Sequence, residues 1–137
     1  MTNVQIASRR EVEFVQFLEL NDYKVDVLGQ DIFMVTRDGE LPVFVHISGT
    51  NLYFEVDLGN VNQVADKDFF FKLLDMNTEI LPVSFGINNT NPDDPRLVLI
   101  ESRETTDLCD QELLAVFDAI ELAVDKAEGI LRQYITQ

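Results

Sequence analysis

The sequence predicts an α+β domain: one antiparallel sheet with helices packed on it, in the order α-β-β-β-β-α-β-β-α. Three observations carry that reading. Leu113, Phe117, Ile120, Val124, Ala127, Leu131 and Tyr134 recur at alternating steps of four and three. That spacing lays one apolar stripe along a helix of about six or seven turns, from Asp110 to Tyr134. Short runs upstream alternate polar and apolar residues with the period of two that a half-buried strand requires. Short turn signals separate the first four of these runs, so consecutive strands pair as an antiparallel meander.

In chain order, Ser8 is a candidate N-cap with Glu11 three residues on, a capping box for a first helix. Val12, Phe14, Val15, Phe17 and Leu18 give that helix a wide apolar face, and it ends near Asn21-Asp22. Tyr23, Val25 and Val27 alternate in the first strand until Gly29-Gln30-Asp31 turns the chain. Ile32 to Arg37 is the second strand, and Asp38-Gly39 is a hairpin signal. Val43, Val45 and Ile47 share one face of the third strand. After Gly49-Thr50-Asn51, Leu52, Phe54, Val56 and Leu58 point one way in the fourth, with Tyr53, Glu55 and Asp57 opposed.

A polar connection, Asn60 to Ala65, leads to a short helix from about Asp66 to Met76. Asn77-Thr78-Glu79 and Pro82 end it, because proline disfavours helix in the residue before it. Val83, Phe85 and Ile87 mark a fifth strand, and Asn88 to Pro95 is a loop of Asn, Asp and Pro. Leu97-Val98-Leu99-Ile100 is continuously apolar, as a central strand buried on both faces would be. The last helix follows. Its opposite flank, Asp118, Glu121, Asp125, Glu128 and Arg132, is expected to face water.

With 137 residues the chain is read as a single domain, 1–137, able to bury roughly two-thirds of its unfolded surface. One cysteine suits a reducing compartment, and no stretch approaches the ~20 apolar residues of a membrane span. Met1 to Arg10 lacks the apolar core of a secretory signal, so a cytoplasmic location is expected. The net charge of −15 repels phosphate backbones and argues against nucleic acid as a partner. The same charge serves solubility or steers a basic partner, and both readings stay open.

No catalytic constellation is visible, so no enzyme, cofactor or metal is expected. His46 is the only histidine, which excludes a histidine metal set or a histidine-containing triad within one chain. Cys109 lies beside Asp110, the expected N-cap, where a helix dipole favours thiolate. Asp107, Asp110 and Glu112 oppose that charge, so a structural thiol is expected. Asn91, Asp93 and Asp94 offer oxygens in a loop that lacks the spacing and closing glutamate of an EF-hand. The six glycines are scattered and make no phosphate loop.

Two features point to protein binding. Phe69, Phe70 and Phe71 are adjacent on the short helix, and successive helical residues point about 100° apart. The expected inner stripe is Phe70, Leu73 and Leu74. Phe69 and Phe71 then meet either a second subunit or a sandwiched position in their own domain. On the last helix Leu122 lies nearly opposite the core stripe, among Ala115, Ala119 and Lys126, where it can seat another helix. Phe69, Phe70, Phe71 and Leu122 are the candidate interface residues.

The segments Asp68-Phe69-Phe70-Phe71-Lys72-Leu73-Leu74 and Ile80-Leu81-Pro82-Val83-Ser84-Phe85-Gly86-Ile87 resemble the small bacterial YjfI-like family. The strand Leu97 to Ile100 and the helix from Glu112 to Ile130 continue the likeness. Through that family the chain resembles YbjN-like proteins and the class I type III secretion chaperones. The N-terminal half follows by element order alone. The resemblance implies a twisted antiparallel sheet with packed helices, often a homodimer. For the secretion chaperones it further implies holding an unfolded segment of a client polypeptide. Two functions follow as expectations: a chaperone-like or adaptor protein, or a regulatory subunit of a bacterial stress or envelope-response system with one folded partner.

Overall fold

The computed structural model describes residues 11–106 and 108–135. The expected capping box of Ser8 with Glu11, the side chain of Val12 and Asp107 lie outside them. The elements are α1 (Glu11–Leu20), β1 (Lys24–Gly29), β2 (Ile32–Thr36), β3 (Val43–Ser48) and β4 (Asn51–Asn60). They continue as α2 (Lys67–Met76), β5 (Ser84–Asn88), β6 (Arg96–Glu104) and α3 (Asp110–Ile135). This is the α+β order expected from the sequence.

The six strands form one sheet, ordered β1-β2-β3-β4-β6-β5, and every neighbouring pair is antiparallel. β1 to β4 are the meander. The connection carrying α2 takes the chain past β4 to the far edge, where β5 forms, and β6 returns into the gap. The apolar run Leu97 to Ile100 thus occupies an interior strand. Leu97 and Leu99 face the helices, while Val98 is buried from the other side beside Gly86, which has no side chain to hold it away.

Local chemistry sets the turns. Gly39 and Gly49 adopt φ of +83° and +59° in the turns after β2 and β3, conformations that cost a side chain-bearing residue energy. α1 ends with Asp22 in the left-handed region at φ +70°. There the Tyr23 N–H donates to the Leu18 carbonyl and the Asp22 N–H to that of Glu19, so two end carbonyls of α1 are satisfied. In β4 the inward series Leu52, Phe54, Val56 is buried, but Leu58 is only half-buried. A bulge between Asp57 and Gly59 shifts the register there, with the Gly59 N–H held by the Asp57 carboxylate at 2.8 Å.

The core lies between one sheet face and the helices. Phe33, Val45, Phe54 and Glu101 face one another across β2, β3, β4 and β6 on that inner face. Phe14 of α1 packs on Phe33 at 5.1 Å. Phe117 of α3 meets Phe54 edge-on at 5.5 Å and Tyr23 at 5.0 Å. Leu113, Phe117, Ile120, Val124 and Ala127 are all buried, and Leu131 is half-buried. Val116, Ala123 and Ile130 widen the buried stripe beyond the expected one.

The outer flank of α3 departs from expectation at one residue. Glu121 is half-buried and accepts from the Arg37 Nε at 3.0 Å, with Asp118 at 3.3 Å from the same guanidinium. Arg37 also covers the Tyr23 ring at 4.8 Å. A long-range cation, invisible to helical periodicity, ties α3 to the end of β2.

Candidate protein-binding surfaces

α2 begins where Asp66 caps it, its carboxylate accepting from the Phe69 N–H at 2.8 Å. From that start the helix turns Phe69 and Leu73 into the core, 0% and 3% exposed. The expected stripe of Phe70, Leu73 and Leu74 is therefore corrected to Phe69, Leu73 and half-buried Met76. Phe69 is not an interface residue. Its ring meets Tyr134, near the end of α3, edge-on at 5.0 Å.

Asp68 accepts from the Tyr134 hydroxyl, and Lys72 lies over the Tyr134 ring at 5.3 Å, beside Asp68 at 3.6 Å. The Tyr134 hydrogen bond holds the Asp68 carboxyl below its ordinary range and pushes the phenol up. These contacts pin the inner side of α2 to α3. The other side carries Phe70, Phe71 and Leu74, exposed by 39%, 69% and 67%. At spacings of three and four residues they form one continuous apolar patch.

Leu122 is exposed, as the helical pattern requires. The structure places it with Ile80, Leu81, Ala119 and Ala123 around a groove of about 170 Å³, rimmed by Glu79 and Lys126. Leu81 is itself 72% exposed. Helical spacing on α3 could not reveal Leu81 as its neighbour, because the two are brought together by the turn after α2. Both sheet edges also carry exposed apolar residues: Val27 and Leu28 on β1, and Ile87 on β5.

The residues considered for chemistry have structural surroundings. His46 is half-buried on β3, opposite Ile32 and Tyr53. The Cys109 carbonyl accepts from the Leu113 N–H, so Cys109, and not Asp110, occupies the cap position of α3. Its thiol donates to Glu112 at 3.2 Å. In the Asn88–Pro95 loop, Asn88 and Asn91 accept from the N–H groups of Thr90 and Asp93, and Asp94 pairs with Arg96 at 3.1 Å. Among the described residues no group of three or more His, Cys, Asp or Glu is placed to hold a metal ion. No described helix is long and apolar enough to cross a membrane.

Glu101 is the buried charge that sequence reading passed over. It is 4% exposed, and its oxygens accept no hydrogen bond among the described residues. Arg103 stands 3.5 Å away and also reaches Glu112 at 3.6 Å. Burial raises the Glu101 pKa, and the Arg103 charge opposes that rise. Its parity with Leu97 and Leu99 was the available signal, since residues two apart share a face.

The architecture is that of the type III secretion chaperone-like α+β proteins. Solved structures share it, two among them over most of the chain. One is the SpcU chain of the heterodimeric ExoU–SpcU complex from the type III secretion system of Pseudomonas aeruginosa. It has a TM-score of 0.68 and 14% identity over 85% of this chain and 95% of that one. The other is YbjN from E. coli, with a TM-score of 0.71 and 12% identity over 93% and 96%. At such identities the likeness is one of fold. No family model matches the chain, and no curated protein matches it in sequence.

Proposed function

We propose that the chain is a non-enzymatic protein-binding module, chaperone-like or adaptor, that holds a partner polypeptide on an acidic homodimeric scaffold in the cytoplasm. The observation that carries this reading is the patch of Phe70, Phe71 and Leu74 on α2. Each large apolar side chain left in water forgoes ~1.5–3 kcal/mol of burial, so a second surface is favoured. A two-fold dimer supplies one most simply, because the patch meets its own copy. The groove at Leu81 and Leu122 and the open β1 and β5 edges remain for a partner chain.

The fold shared with SpcU, which was solved in complex with ExoU, supports the protein-binding part of the reading. Membership of the YjfI-like family, as one domain over 1–137, is part of the same proposal and rests on the α2 and Ile80–Ile87 segments.

The test is capture of partners from native cytosol by the wild type, by Phe71→Glu and by Leu122→Glu. Several unfolded clients, lost with either variant, support a chaperone. One stoichiometric folded partner supports instead the regulatory subunit of a stress or envelope-response system. Identical capture by all three proteins overturns the surfaces proposed here.

A further inference from the structure

The sheet face opposite the helices carries a second binding feature that shares no residue with α2. Cross-strand pairing sets Met34, Phe44, Glu55 and Ile100 in one row across β2, β3, β4 and β6. Two hollows of about 560 and 370 Å³ open on this face, and Glu55 and Asn88 line both. Met34, Pro42 and Phe44 complete the apolar wall of the first, and Val98 and Ile100 that of the second. No helix residue lines either one. Glu55 thus stands as a carboxylate between two partly apolar recesses.

Its hydrogen bonds orient that carboxylate without neutralising it. One oxygen accepts from the Tyr53 hydroxyl at 2.8 Å and the other from the Asn88 amide at 3.3 Å. Burial, the hydrogen bond and the nearby Glu55 charge push the Tyr53 phenol up to about 12, so it stays a donor at physiological pH. The neighbouring acids have a cation: Asp57 and Asp94 both pair with Arg96, at 3.2 and 3.1 Å. Glu55 has no cationic partner among the described residues. Each oxygen retains a lone pair beyond its present bond, which suits the two parallel N–H groups of a guanidinium.

We propose that this open face docks a polypeptide segment of a partner protein that presents one arginine between apolar side chains, the guanidinium on Glu55 and its neighbours in the two hollows. Three observations select that occupant. Arginine is the cation whose planar head also lies well on aromatic faces, here Phe44 and Tyr53. An extended segment sends alternate side chains to one side about 7 Å apart, so residues flanking the arginine reach hollows on both sides of Glu55. The chain's net charge of −15 draws a cationic segment towards it. A small guanidinium compound would use the carboxylate but leave the recesses empty.

The inference takes from the proposed function only the class of ligand. It is tested by backbone-amide NMR titration of the full chain with an acetylated, amidated seven-residue peptide of alternating valine and serine with arginine at its centre. The same peptide with citrulline, which keeps the shape and loses the charge, is the control. Binding is expected to shift the amides of Phe44, Tyr53, Glu55, Val98 and Ile100, and to weaken at least about tenfold with citrulline or in Glu55→Gln. Phe71→Glu, which disrupts the α2 surface, should bind the arginine peptide like the wild type, so the two readings fail separately. If Glu55→Gln does not fold, the citrulline comparison on the wild type still decides. Equal binding of both peptides, shifts confined to α2 or a sheet edge, saturation by free arginine in the same range, or no binding at millimolar peptide would each overturn the proposal.

Discussion

Phe117 is the side chain on which three parts of the core converge: Tyr23 just before β1, Phe54 of β4 and α3 itself. It is 1% exposed, so truncation leaves a cavity among rings that cannot close over it. Phe117→Ala should cost ~3–5 kcal/mol in urea unfolding. Its place was legible because a long amphipathic helix has only one way to face a sheet. Glu101 was legible only in part: its parity with Leu97 and Leu99 sets it on their face, but nothing in the sequence says whether that part of the strand lies inside or beyond the area the helices cover. Its folded pKa is raised by burial, so the folded state holds the proton more tightly than the unfolded chain. The stability this confers is fully present below the ordinary glutamate range and is lost as pH rises through the raised value. Glu101→Gln should therefore be the more stable protein at pH 7. Thermal melts across pH 4–8 should show that advantage shrinking as pH falls, and a constant difference would contradict the assignment.

At the scale of elements, strand order and helix limits follow from turns and periodicity, whereas the rotation of α2 does not. Ten residues with three adjacent phenylalanines fit an inner stripe of Phe70, Leu73 and Leu74 as well as one of Phe69, Leu73 and Met76. One local and one distant contact decide between them. Asp66 sets the first turn through the Phe69 N–H, and Tyr134, from the end of α3, supplies the ring against which Phe69 packs. Neither the cap nor that ring can be ranked from the α2 sequence alone. The resulting rotation makes adjacent phenylalanines behave oppositely. Phe69→Glu buries an unpaired charge and should unfold the chain or cost several kcal/mol, on the order of 3–5. Phe71→Glu alters an exposed position and should change monomer stability by no more than about 0.5 kcal/mol. Chemical denaturation of the two variants at concentrations where the chain is monomeric checks this, and comparable losses would place both rings inside.

For the molecule as a whole, the apolar patch on α2 and the net charge of −15 act against each other. Joining two copies through Phe70, Phe71 and Leu74 removes large side chains from water, a gain that salt does not weaken. It also brings two strongly negative bodies together, a cost that depends on ionic strength. The Debye length falls from about 30 Å at 0.01 M to about 8 Å at 0.15 M, so repulsion between most of the surface charges is screened over that range. An interface built on ion pairs would loosen under the same change, which makes the direction of the salt effect diagnostic. The proposed homodimer should therefore tighten as salt rises, with a sedimentation-derived dissociation constant at least severalfold lower at 0.15 M than at 0.01 M. Phe71→Glu should abolish association at both, because it adds two charges at the centre of the contact and removes the apolar gain. A wild type that stays monomeric at tens of micromolar in 0.15 M salt would remove the dimer from the proposal and leave the α2 patch to a partner protein. A dimer that weakens with salt would place its contact on charged residues away from α2.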